Sequence, residues 1–356
     1  MEKFCVFCGN NPECKTMEHI IPMWLLKKTG DPKRKGRFGM DWHLERERIF
    51  SFDQLKFPAC SNCNNYFSQL EEKTRYIIDD VLNEKPINAK SFDILLSWFD
   101  KIRIGLWLGF YYLDKNIFGI KPNFYIERRI NAKDRLLLIY KSFEKQDGLN
   151  IFGVDFPFFG HQPSCFGLVI NQFYFVNVSS DYLFSRRLGL PFPKVKKRLR
   201  NFPGFYAEIE KGLEKILIPL LRISYDSSCR EIYQPIIPKE FSELNNMYNT
   251  NYVKKYFKSS RIGKVLIKKS LKKIVEYPKN KSKLWIPKTS NSRMKMFYIG
   301  MKTVLNLQNY LLNDCPSPED LSIEEQKRHK KDIRGIKSVN NRILKLIIKD
   351  EKKHII

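Results

Sequence analysis

Two cysteine pairs fix more about this chain than anything else in it. They are Cys5-Val6-Phe7-Cys8 and Cys60-Ser61-Asn62-Cys63, each in CxxC spacing. Two such pairs supply four thiolates, the donor set of a closed tetrahedral structural zinc site. The 51 residues between them exceed a compact ribbon, so a functional insertion belongs between the halves. The remaining cysteines, Cys14, Cys165, Cys229 and Cys315, are scattered. A disulfide scaffold would be denser and shorter, so the scattered thiols read as small apolar residues, with Cys14 near enough to the first pair to be a spare ligand. A lobe of about 80 residues is marginal on its own, and zinc adds on the order of 10 kcal/mol or more to its folding.

Charge is the second constraint. The 356 residues carry 64 Lys and Arg against 38 Asp and Glu, a net +26. A polyanionic partner is expected, because each neutralised phosphate releases counterions. Residues 251–356 alone hold 27 Lys and Arg against 9 Asp and Glu, an excess of 18. A membrane is the rival polyanion. The longest apolar stretch, Ile104 to Leu113, is too short to span one, and the chain begins with no secretory signal, so a cytoplasmic protein is expected.

Periodicity then divides the chain. Ile20 to Lys28 suits a short helix with Pro22 near its start, and Arg48 to Phe57 alternates as one arm of a β-hairpin. Asn64 to Leu82 reads as a helix with the stripe Phe67, Leu70, Ile77 and Ile78, and Ala89 to Leu113 as a second, strongly apolar helix. Arg135 to Tyr140, Asn150 to Val154 and Phe166 to Val178 have strand composition. Phe156 to Gly160 is read as core aromatics, with a base-stacking platform as the alternative. Gln234-Pro-Ile-Ile-Pro238 is read as a linker. Beyond it Tyr252 to Val275, Met296 to Leu312 and Ile323 to Lys349 have helical patterns, and Ser317 to Asp320 looks like a helix start. The expected organisation is α+β: a zinc-containing domain at 1–83, a central α/β region with a small antiparallel sheet at 84–238, and a basic, mainly helical region at 239–356.

The chemistry-bearing cluster lies between the cysteine pairs. Glu18-His19-Ile20-Ile21-Pro22 follows the first, and Asn64 directly follows Cys63. Phosphodiester hydrolysis needs a base for water and a cation for the charge that develops on phosphorus and the leaving oxygen. His19 has a suitable pKa for the base. Glu18 and Asn64 offer hard oxygens for Mg²⁺ or Mn²⁺, leaving most of the ion's coordination to water and phosphate. Lys27, Lys28, Lys33, Arg34, Lys35 and Arg37 form a basic, Gly-containing loop suited to gripping phosphate. Asn62 and Asn65 are read as capping residues, and Glu71 and His43 as surface residues.

Cys-x2-Cys, Glu-His-Ile-Ile-Pro and Cys-x2-Cys-Asn, in that order, resemble the HNH endonucleases of the ββα-metal fold. The resemblance covers about residues 5–76, a fifth of the chain. It implies that Glu18 and Asn64 bind the catalytic ion, that His19 is the general base, and that double-stranded DNA is cut to 5′-phosphate and 3′-hydroxyl ends. Family members also carry a central Asn whose backbone holds the histidine. Here no Asn lies between residues 12 and 61, and Asp53, Gln54 and His43 are the candidates to substitute. The rival expectation is a non-catalytic zinc module that binds nucleic acid. A third is an effector of a mobile-element or anti-phage system, kept silent until a regulatory protein partner engages it.

Overall fold

The computed structural model describes residues 4–11, 16–41, 46–113, 126, 133–196, 206–213, 229–237, 251–257, 261–270, 273–313 and 322–355. Its first lobe is built on two short strands, β1 (Thr16–His19) and β4 (Lys56–Ala59), paired antiparallel with Glu18 opposite Phe57 and His19 opposite Lys56. Cys60 caps the helix that follows at once, α2 (Ser61–Leu82). The insertion between the strands holds α1 (Met23–Lys28), a hairpin of β2 (Lys35–Asp41) and β3 (Arg46–Ser51), and a single 3-10 turn at Phe52–Gln54. Pro22 opens α1, where its missing N–H is no loss, and its carbonyl accepts from the Leu25 and Leu26 amides. In α2 the buried residues Phe67, Thr74, Ile77, Ile78 and Val81 recur at helical spacing and turn inward.

The next helix, α3 (Ala89–Leu113), is buried all round from Trp98 to Gly109, which is why that half of its sequence shows no polar stripe. One side meets the first lobe. Trp98 lies 6.2 Å from Trp24, Tyr112 lies 5.3 Å from Phe57, and a Cβ at Gly105 would stand 3.1 Å from Ile20. The other side meets a seven-stranded, wholly antiparallel sheet. Its strands are β5 (Asp134–Lys141), β6 (Leu149–Phe152), β7 (Cys165–Ile170), β8 (Phe173–Ser180), β11 (Cys229–Gln234), β12 (Leu266–Ser270) and β13 (Lys273–Glu276). They run in the order β13-β12-β11-β5-β8-β7-β6, and a separate hairpin joins β9 (Pro191–Lys196) to β10 (Tyr206–Lys211).

Alternation sorts the sheet residues between two cores. Leu137, Ile139, Phe166, Leu168, Phe175 and Ile232 pack with α3 and the first lobe. Leu136, Leu138, Cys165, Val176 and Tyr233 pack on the other face, under α7 (Arg293–Asn313) and α8 (Ile323–Ile355). Ser322 and Glu325 form a reciprocal capping box at the start of α8. The layers are therefore first lobe, α3, sheet, then α7 with α8. Among the described residues the remaining helices, α4 (Pro157–His161), α5 (Leu183–Arg187) and α6 (Asn251–Tyr256), are short.

Several sequence expectations need correction. Gln234 to Ile237 is not a linker: Gln234, Ile236 and Ile237 are buried, and the Pro235 carbonyl accepts from the Gly263 amide at 2.8 Å. The strands β11 and β12 are neighbours, so one sheet spans the boundary expected at 238. Tyr252 to Val275 is only briefly helical, as α6, before β12 and β13 take over. The lysines there are spaced as on a helix, but the β-branched residues Val265, Ile267, Ile274 and Val275 are strand formers, and the sheet edge decides the outcome. Phe156, Phe158 and Phe159 are buried, and the Gly160 carbonyl accepts from Trp107, so this run is core and not a stacking platform. The helix start read at Ser317 to Asp320 lies outside the described residues, as do Cys14, His43 and Cys315.

Candidate metal centre and active site

The four paired cysteines converge. Cys5 and Cys8 sit in a tight loop in which the Cys5 carbonyl accepts from the Gly9 amide at 2.8 Å, and Gly9 takes a φ of 84° that a side chain would strain. The Val6 amide donates to the Pro58 carbonyl at 3.1 Å, tying the loop to β4. Cys60 and Cys63 come from the cap and first turn of α2. All four sulfurs lie within 4.8 Å of one another, and the cysteines are free of disulfides. Sulfurs about 2.3 Å from a shared tetrahedral zinc would stand slightly closer together than that, so the donors fit such an ion with little movement. Burial pushes the Cys8 and Cys63 thiols up, protons that a bound cation would displace.

Beside the sulfurs lies a second charged cluster. Side chains alternate along β1, so Glu18 and His19 leave it in opposite directions. Glu18 turns toward α2 and α3, where its carboxylate contacts the Lys101 ammonium, and Glu71 contacts the same nitrogen. Lys101 is 2% exposed, Glu18 14% and Glu71 16%. The Lys101 nitrogen also lies 5.4 Å from the Phe7 ring centre and 5.8 Å from that of Phe67, two rings stacked 4.2 Å apart. Burial lifts the Glu71 carboxyl to about 7, with Glu18 adding to the rise and Lys101 opposing it.

His19 points toward the 3-10 turn. Its Nε2 is buried and has no hydrogen-bond partner. The backbone carbonyl of Asp53 lies against the ring and favours its protonated form, as do the Glu18 and Asp53 charges. Burial and Lys56 across the strand pair outweigh them and hold the imidazole below its usual value. Of the candidates for the position of the central Asn, His43 lies outside the described residues, and the backbone of Asp53 meets His19. Asn64 lies half-buried one residue beyond Cys63, its amide donating to the Cys60 carbonyl at 2.9 Å.

The basic loop divides into two groups. Lys27, Lys33 and Lys35 are exposed. Lys28 pairs with Asp79 at 2.6 Å. Arg34 is used internally, donating to the Leu26 and Asp31 carbonyls at 3.1 and 2.7 Å and to the Thr29 hydroxyl at 2.7 Å, with its guanidinium 5.1 Å from the Phe52 ring centre. Arg37 lies in β2 opposite Ile49. The Phe52 amide donates to the Arg34 carbonyl and the Asp53 amide to that of Pro32, so this loop is fastened to the turn that meets His19. Asn62 and Asn65 lie inside α2, exposed, and neither is its cap.

Sequence reasoning missed Glu71 and Lys101. Glu71 was read as a surface residue because it is one of two adjacent glutamates on a helix with an exposed face. Lys101 did carry a signal: it lies with Asp100 and Arg103 in the strongly apolar run from Trp98 to Leu113, and buried charges are paired. Asp100 pairs with Arg103 at 2.7 Å and with Arg135 at 3.1 Å, which leaves Lys101 for the first lobe.

No protein-family model, curated protein or solved structure matches the chain. Among the described residues, no helix is long and apolar enough to cross a membrane.

Proposed function

We propose that the chain is a metal-dependent endonuclease of the HNH type that hydrolyses phosphodiester bonds of DNA. The observation that carries this reading is the setting of His19. A strand pair and a helix, joined at one end by four converging cysteines, hold an imidazole whose Nε2 is without a protein partner. A pKa below the usual histidine value leaves the ring neutral at pH 7, and the Asp53 carbonyl favours the tautomer with its proton on Nδ1. Nε2 can then take a proton from water. As the water oxygen bonds to phosphorus, the bond from phosphorus to the 3′-oxygen breaks and that oxygen takes a proton from solvent, leaving a 5′-phosphate and a 3′-hydroxyl.

Glu18, through the carboxylate oxygen that Lys101 leaves, and Asn64 would hold Mg²⁺ or Mn²⁺. When bound, that ion supplies positive charge for the crowded phosphate and the leaving oxygen. The exposed Lys27, Lys33 and Lys35, on the loop fastened to this turn, would contact phosphate. The basic residues of α8 form a separate surface across the sheet, for affinity or for a regulatory partner. The test is the nicking of supercoiled plasmid with Mg²⁺ or Mn²⁺ by wild type and by His19→Ala. Wild type should nick and the variant should not; no nicking by wild type with either ion overturns the reading.

One observation favours a second reading, a non-catalytic zinc module that binds nucleic acid: Glu18 already has a cation partner in Lys101. That reading predicts DNA binding that is unchanged in His19→Ala, with no nicking by either protein.

A further inference from the structure

Glu18 and Glu71 place carboxylate oxygens around one point, an arrangement that attracts a divalent ion. Here the point is filled by a side chain. The Lys101 nitrogen contacts both carboxylates, is 2% exposed, and lies near the stacked rings of Phe7 and Phe67. Its neighbours Trp98 and Ile102 are fully covered, and solvent reaches the cluster only at the partly exposed Glu18 and Glu71. We propose that Lys101 is a built-in replacement for a divalent cation between Glu18 and Glu71, so that the free protein holds Mg²⁺ or Mn²⁺ only weakly at Glu18. This rests on the reading of Glu18 as a ligand of the catalytic ion.

The charges give the direction. With Glu71 ionised, the two carboxylates present −2 to an arriving cation, and the ammonium reduces this to −1. A divalent ion at the remaining Glu18 oxygen also meets the ammonium a few ångströms away, in a site too enclosed for salt to screen the repulsion well. Phosphate oxygens of a bound nucleic acid would restore the missing negative charge, which makes the ion and the substrate mutually dependent. Lys101 is in this account a positioning residue: it fixes one Glu18 oxygen and leaves the other for the ion.

The test is Mn²⁺ binding without nucleic acid, followed by the electron paramagnetic resonance of the free ion, with zinc content as the check of folding. Manganese prefers oxygen donors and zinc thiolates, so the two sites do not compete. Lys101→Met, with one zinc retained, should bind Mn²⁺ roughly tenfold or more tightly than wild type. Adding Glu71→Gln to that variant should remove the gain. Glu18-dependent micromolar binding by wild type, or a zinc-loaded Lys101→Met that binds no tighter, overturns the proposal. If Lys101→Met loses its zinc, Glu71→Gln alone decides: it leaves the ammonium facing a single carboxylate and should bind Mn²⁺ several-fold more weakly than wild type, and equal or tighter binding overturns the proposal. Plasmid nicking is a separate readout. Its absence from wild type counts against the nuclease reading alone, whereas the Mn²⁺ results count against the role of Lys101 alone.

Discussion

Two charged clusters share the pair of rings Phe7 and Phe67 and are built in different ways. The four cysteines come from two local turns, each fixed by a spacing of three residues, and they gather donors for an ion from outside. Glu18, Glu71 and Lys101 come from a strand and two helices, 30 and 83 residues apart in sequence, and they supply their own cation. The first cluster joins the two ends of one lobe. The second joins that lobe to α3, and through α3 to the sheet. The difference separates what folds the lobe from what positions it, and each side of it can be broken alone.

The largest effect should come from the sulfurs. Cys60→Ser, or removal of the metal with a strong chelator, should cost the lobe zinc stabilisation on the order of 10 kcal/mol. Zinc content should fall, and amide exchange should lose protection across residues 16–82 while β5 and β8 keep theirs. Loss of protection in the sheet as well would show that the two clusters are not separate in their effects.

Lys101→Ala should come next. Removing one partner of a buried ion cluster typically costs about 3–5 kcal/mol, and here it leaves two carboxylates facing each other. Urea denaturation should show that loss with zinc still bound at one equivalent. Zinc loss in step with the substitution would mean that Lys101 supports the sulfur cluster through Phe7 and Phe67, merging the two.

His19→Ala tests the surface that both clusters support. Its nicking rate should fall by about 10² to 10⁴. The ring is only half-buried and its Nε2 has no partner, so stability should change by about 1 kcal/mol or less. A large stability loss would make His19 a structural residue.

The contrast also explains what could be read in advance. CxxC spacing specifies a metal site almost without reference to the fold, and all four residues do meet. Helices α2 and α3 and strand β5 were legible because apolar period and length agree along each of them, whereas Phe166 to Val178 was read as one run and is divided into β7 and β8 by the turn at Asn171 and Gln172. The Glu18–Glu71–Lys101 cluster was not, because no local pattern states that a strand near residue 18 and a helix near 101 will touch. The contact of Asp53 with His19 was harder still, since a backbone carbonyl leaves no trace in residue identity and Asp53 was one of three candidates. The strands β12 and β13 were misread because lysines on a sheet edge can mimic a helical spacing. The buried stretch Gln234 to Ile237 carries Pro235, a residue typical of linkers, yet its carbonyl and amide groups are used by the chain at Arg261 and Gly263.

The smallest effect concerns pH, where His19 and Glu71 of the second cluster contribute with opposite sign. His19 is held below its unfolded value of 6.5, chiefly by burial. Between the folded and unfolded values the unfolded chain binds more protons at this site, so its stability contribution is present above pH 6.5 and is lost as pH falls through the lower folded value. Glu71 is raised from 4.5 to about 7, so its contribution is full below pH 4.5 and is lost as pH rises through about 7. Between these limits the two trends oppose each other. Nicking should follow the neutral form of His19 on the acid side, and its acid limb should have a midpoint below pH 6.5. Glu71→Gln should remove the loss of stability approaching pH 7 while leaving that acid limb below 6.5. An acid limb at or above pH 6.5 in wild type would show that the Asp53 carbonyl and the Glu18 charge outweigh burial at the imidazole, and that His19 is poised by the charged cluster and not by its desolvated setting.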